Sequence, residues 1–278
     1  MNYILNHFKN KTMKSNLMLL FLIVIVFVSC NSNDSSDSGN TAYFPLQIQN
    51  NWVYNYDSTI TTGRDSLYVS NDTIIDTKTY KKVKTLAQPM GFFSNSLNKN
   101  SLRMDNGAVL LKGSTGFNFG VNIPLSIALD DFIIFKESAT SNTVLSSVNG
   151  TLNQDVQGYP LTINYVLTSK ALESLPSYTA PDGTVYSDVK KVQTTLNLKI
   201  STTVTVPNIP IPVSLVVLNT QDVLVATHYY SKNIGMFYTH TDIQYQLQDF
   251  SQFNVTLPIP SSGSDSQNEV LDIYNTNF

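Results

Sequence analysis

The sequence predicts an all-β fold: a curved antiparallel sheet, built as a half-barrel or a sandwich, with few short helices. Three observations carry this. Apolar residues alternate with polar ones at period 2, as in Leu161, Ile163, Tyr165 and Leu167 against Thr162, Asn164 and Thr168, the pattern of a strand with one buried face. Turn signals separate such runs, the plainest being Asn106-Gly107, where both residues tolerate the positive φ of a tight hairpin. No stretch sustains a 3.6-residue period, so nothing supplies the long crossover helices that parallel strands require.

Order is expected to begin at Tyr43. In YFPLQIQNNWVYNY, residues 43–56, a proline-broken start leads through Asn50-Asn51 into a strand whose Trp52, Tyr54 and Tyr56 share one face. The single Trp of the chain reads as a core anchor. Strands follow at 66–75 and 79–86, turning near Asp76-Thr77-Lys78, and the lysines at 78, 81, 82 and 84 read as a solvated strand face. Residues 88–120 are rich in Gly, Asn and Ser and read as loops around the Asn-Gly hairpin, with Phe92, Phe93, Phe117 and Phe119 among them. Two short helices are expected, at 122–130, where Asn122 and Pro124 suit a first turn, and at 169–175. Leu196 to Val206 and Val213 to Leu218 form a long hairpin with a stiff tip at Pro207–Pro212, since proline cannot donate to a central ladder. Residues 223–230 and 236–248 make the next, turning at Ser231–Gly235. After Pro258 the chain reads as a loop and a tail. No repeat and no second apolar cluster behind a linker divides the chain, so one β domain at 43–257 is expected, with 258–278 as its C-terminal tail.

The N-terminus predicts a location. Lys9, Lys11 and Lys14 precede an unbroken apolar run of twelve residues, Leu17–Val28. That is too short for the roughly 20 residues of a membrane span and has the size of a signal-peptide core. Translation could start at Met1 or at Met13. The run ends at Ser29-Cys30, which resembles a bacterial lipobox, with Phe27 where Leu is usual. Residues 1–29 are therefore expected to be a lipoprotein signal peptide, Cys30 the lipidation site, and 30–42 a flexible tether of polar composition. Cys30 is the only cysteine, so an internal disulfide is impossible and acylation explains the thiol. The expected location is the cell envelope, at the outer membrane.

Composition and motifs exclude more than they assign. A net charge of -3 argues against nucleic acid as a partner. No zinc-helix spacing, nucleophile elbow, phosphate loop or dinucleotide fingerprint is present, so no catalytic residue, metal ligand or cofactor is expected. Asp130, Asp131 and Glu137 read as solvated strand ends. His228 and His240 fall at the same parity on two arms of one hairpin, which puts them on one face with Asp242, but that face also carries Gln244 and Gln246. Two exposed histidines are the expectation, and no metal. Ser58, Ser66 and Thr73 each follow an aspartate, as in the D-[ST]-x acceptors of bacterial O-glycosylation.

Three segments together resemble a largely uncharacterised lipoprotein family of the Bacteroides group. YFPLQIQNNWVYNY is similar to its Y-x-P-L-x-x-G-N-x-W-x-Y opening, with Gln49 in place of Gly. Residues 186–192, YSDVKKV, are similar to a central Y-x-D-V-x-K-V strand, and residues 229–237, YYSKNIGMF, to a late hairpin. The resemblance implies a curved antiparallel sheet similar to the half-barrels of lipoprotein carriers such as LolA and LppX, and no established activity. The expected function is that of a membrane-anchored, non-enzymatic envelope lipoprotein binding an apolar or lipid-like ligand or a partner protein. Phe92, Phe93, Phe117, Phe119, Ile209 and Ile211 are the expected rim of its groove. The alternatives are a structural or adhesion protein and an envelope hydrolase.

Overall fold

The computed structural model describes residues 41–118, 124–204, 212–249 and 260–277. Among these, twelve strands form one sheet, β1 (Asn51–Ser58), β2 (Thr62–Ile75), β3 (Lys78–Thr85), β4 (Ser101–Asp105), β5 (Ala108–Asn118), β6 (Pro124–Lys136), β7 (Val144–Val156), β8 (Tyr159–Thr179), β9 (Val185–Val204), β10 (Val213–Ser231), β11 (Gly235–Gln246) and β12 (Ser262–Asn275), with one short helix, α1 (Phe92–Leu97). The strand order is β6-β5-β4-β3-β2-β1-β12-β11-β10-β9-β8-β7. Two meanders, β1–β6 and β7–β12, are thus joined where β12 pairs antiparallel with β1. The outermost strands, β6 and β7, come back to each other, and Ile133 N–H donates to Ser146 Oγ at 3.0 Å across the gap. The sheet curls beyond a half-barrel into a nearly closed barrel. Twist accumulates from strand to strand, and over twelve strands it brings the two edge strands to this contact.

Local chemistry sets the turns. Asp76-Thr77, Asn106-Gly107 and Gln157-Gly158 each have positive φ at both residues, the geometry whose twist matches the flanking strands. Gln49, standing where the resembling lipoproteins carry Gly, has φ 75°. The side chain of the next residue holds that turn in place. Asn50, fully buried, donates to Pro45 O at 3.1 Å and Asn277 O at 2.9 Å and accepts from Asn277 N–H at 2.8 Å, tying the start of the domain to its end. Trp52, Tyr54 and Tyr56 all point inward and are buried. Trp52 Nε1–H donates to Ile234 O at 2.6 Å, so the anchor also fixes the β10–β11 turn.

Several expectations are corrected. The helix expected at 122–130 is, from Pro124 on, the strand β6. Leu125, Ile127 and Leu129 are buried and Ser126, Ala128 and Asp130 exposed, a period of 2 that the proline at its head disguised. The helix expected at 169–175 belongs to β8, where a bulge between Ala171 and Ser174 breaks the alternation. Of the loops expected over 88–120, residues 108–118 are β5, and α1 lies within the same stretch. The expected tail at 258–278 contains β12, the strand at the centre of the order. Its sequence SGSDSQNEVLDIYN is polar because much of it packs beside other polar side chains rather than in an apolar layer. Residues 213–218 and 223–230, read as parts of two hairpins, are one strand shared by both.

Candidate functional site

The barrel interior is filled from one side by α1. Phe92, Phe93, Ser94 and Leu97 of this helix are buried. The Phe93 ring meets Tyr54 edge-on at 6.1 Å and lies 5.4 Å from the His228 ring, so it spans from β1 to β10. Two buried carboxylates hold the segment. Asp65 of β2 accepts from Met90 N–H at 2.9 Å and Gly91 N–H at 2.7 Å. Glu269 of β12 accepts from Phe93 N–H at 2.8 Å, Ser94 N–H at 3.0 Å and the Ser94 hydroxyl at 2.6 Å. The Phe93 and Ser94 N–H groups are donors that the first turn of a helix leaves without internal partners. Gly91 has an ordinary φ of -77°, so it is not needed for its backbone freedom. A Cβ there would lie 2.1 Å from the Glu269 carboxyl carbon, and only glycine lets the carboxylate approach. Burial raises the pKa of both acids, that of Glu269 to about 7, with the Asp65 charge adding to it and the donors opposing.

On the far side of the helix stands a neutral cluster. His228, buried on β10, contacts Thr239 Oγ1 through Nδ1 and Thr194 Oγ1 through Nε2 at 3.2 Å. Thr239 spends its proton on Thr227 O at 3.1 Å, which assigns the imidazole proton to Nδ1 and makes Nε2 the acceptor for Thr194. Burial lowers the His228 pKa to about 3, so the ring is uncharged at neutral pH.

Two chambers flank the helix. The inner one, about 30 Å³, is lined by Phe92, Phe93, Thr115, Thr194 and His228, by Ser96 and Tyr230, and by neighbouring apolar side chains. Among the described residues the buried Thr115 Oγ1 has no hydrogen-bond partner. The outer one, about 180 Å³ and partly open, is lined by Met90, Phe92, Phe117, Leu196, Leu224 and Ile243, with Asn95 and Gln267 among its polar groups. Phe92 borders both and stacks on Phe117 at 5.5 Å. It is the wall between them.

Of the residues expected at a groove rim, Phe92, Phe93 and Phe117 therefore line the interior chambers. Phe119, Ile209 and Ile211 lie outside the described residues, as does Cys30. The two histidines do not share a face. A bulge between Tyr229 and Tyr230 sets His228 opposite Thr239 and Thr227 opposite His240, so His228 is buried inside and His240 lies outside, 3.2 Å from Asp242. Asp131 is not a bare strand end either. It accepts from Arg103 at 3.0 and 2.8 Å, Lys78 at 2.9 Å and the Tyr80 hydroxyl at 2.6 Å, and the Arg103 guanidinium holds its carboxyl below the usual range.

Sequence reasoning missed Asp65, Glu269 and Thr115. A signal exists for the first, since Asp65, Leu67 and Val69 continue one buried face of β2. For Glu269 the signal is its alternation with Leu271, masked by the polar run before it.

No protein-family model matches this chain, and no curated protein matches it. Among solved structures, a Parabacteroides distasonis protein described as a lipoprotein is similar over 84% of this chain and 99% of that one, at 12% identity and a TM-score of 0.40.

Proposed function

We propose that this chain is a non-enzymatic lipoprotein of the cell envelope, anchored at the outer membrane through a lipidated Cys30, whose barrel binds an apolar or lipid-like ligand. The observation that carries the reading is the outer chamber. It is larger than the ~150 Å³ that holds a benzene in an engineered apolar cavity, partly open, and lined chiefly by apolar and aromatic side chains, the usual make-up of a small-molecule site. The anchor rests on the twelve-residue apolar run and the single cysteine behind it. Fluorescence of N-phenyl-1-naphthylamine tests the pocket. Binding in the micromolar range is expected, and Phe117→Asp should weaken it about tenfold by placing a charge in the apolar wall. No binding by the folded protein would leave the structural or adhesion role. Mass spectrometry of the membrane fraction tests the anchor, with a di- or triacylated Cys30 as the expected N-terminus. Two or more chains hold firmly where one holds marginally, so Cys30→Ser should release the protein.

A further inference from the structure

The chemistry of the two chambers narrows what can occupy them. No Lys or Arg lines either one, while two carboxylates are buried against the helix between them, so an anionic head group would meet like charge with no partner. A cationic head fares no better. Neither Asp65 nor Glu269 lines a chamber, and their oxygens already accept from Met90, Gly91, Phe93 and Ser94, so an ammonium group would be buried unpaired. Within the inner chamber the polar groups are mostly spent. Ser96 Oγ donates to Phe93 O and Thr194 is engaged with His228, while the buried Thr115 Oγ1 stands without a partner. A buried hydroxyl in that position has an O–H to give. A space of about 30 Å³ takes one or two water-sized groups, which suits a terminal oxygen rather than a chain.

We propose, resting on the reading of the barrel as a pocket for apolar ligands, that it takes an uncharged chain ending in a carbonyl. The carbonyl oxygen accepts from Thr115 in the inner chamber, and the hydrocarbon lies in the outer one after Phe92 turns aside. A carbonyl fits better than an alcohol, because it brings an acceptor and no second donor to be satisfied.

Displacement of N-phenyl-1-naphthylamine, which has no carbonyl, tests this with 2-undecanone, decanoate and decylamine. The ketone should displace the probe at a concentration at least tenfold below either ion. Thr115→Val should weaken the ketone about fivefold to tenfold more than it weakens the probe, the worth of one neutral hydrogen bond to the carbonyl. Decanoate or decylamine binding as tightly as the ketone would overturn the uncharged head. A ketone affinity that falls no more than the probe's in Thr115→Val would overturn the role of Thr115, whose partner is then a buried water only. Failure of the probe itself to bind the wild-type protein would instead remove the apolar-ligand reading on which all of this stands.

Discussion

The two sides of α1 bury polar groups in opposite ways. On the β2–β12 side, Asp65 and Glu269 receive four backbone N–H groups and one hydroxyl. On the β9–β11 side, His228 is content with two threonine hydroxyls. A buried carboxylate has several lone pairs to satisfy and a large desolvation penalty, and a helix start is one of the few places that offers several donors at once. A neutral imidazole needs one donor and one acceptor. The acids therefore hold the helix rigidly, whereas the histidine leaves Thr115 and a small void beside it. The first side is built to fix a segment and the second to leave room.

The largest effect should come from Glu269→Ala. It orphans two backbone N–H groups and the Ser94 hydroxyl, at about 1–3 kcal/mol each, so a loss of at least about 3 kcal/mol is expected in urea denaturation, with faster hydrogen exchange confined to residues 90–97. A loss below about 1 kcal/mol would mean that the helix does not depend on the acid. Gly91→Ala should come next, at about 2–3 kcal/mol, because the new Cβ and the Glu269 carboxyl cannot both fit. Equal stability of Gly91→Ala and wild type would show that Glu269 has slack.

The pH dependence sharpens the same contrast. Glu269 has a folded pKa of about 7 against an ordinary 4.5, so the folded state takes up a proton first and gains stability as pH falls from 7 to 4.5. His228 has a folded pKa of about 3 against 6.5, so the unfolded state takes up the proton and stability is lost as pH falls from 6.5 to 3. From these two groups the wild type should be nearly flat between pH 6.5 and 4.5 and fall below it. Removing one partner exposes the other slope, about 2–3 kcal/mol over those two pH units. Glu269→Gln should lose stability on acidification through that range, and His228→Gln should gain it. Parallel profiles for the two variants would refute the opposition. The smallest effect is Thr115→Val, which removes a buried hydroxyl without a partner and should be neutral or stabilising by up to about 1 kcal/mol. A loss above 1 kcal/mol in calorimetry would show that the hydroxyl is satisfied after all.

What the sequence determined by itself is what neighbours along the chain decide. The inward row Trp52, Tyr54 and Tyr56, the Asn106-Gly107 turn, and the alternation of β8 and β9 follow from residue type and a two-residue period, because a strand sends successive side chains to opposite faces whatever it pairs with. The antiparallel arrangement follows as well, since no stretch sustains the 3.6-residue period of a long crossover helix. Tertiary structure alone decided the rest. One bulge between Tyr229 and Tyr230 turned two histidines of equal parity onto opposite faces, since a single extra residue inverts every side chain beyond it. Glu269 lies 204 residues after Asp65 in the chain, and only the pairing of β12 with β1 puts both acids at the same helix start. The polar tail became a central strand because its partners, β1 and β11, were present on both sides to take up its backbone hydrogen bonds, and no local pattern records that.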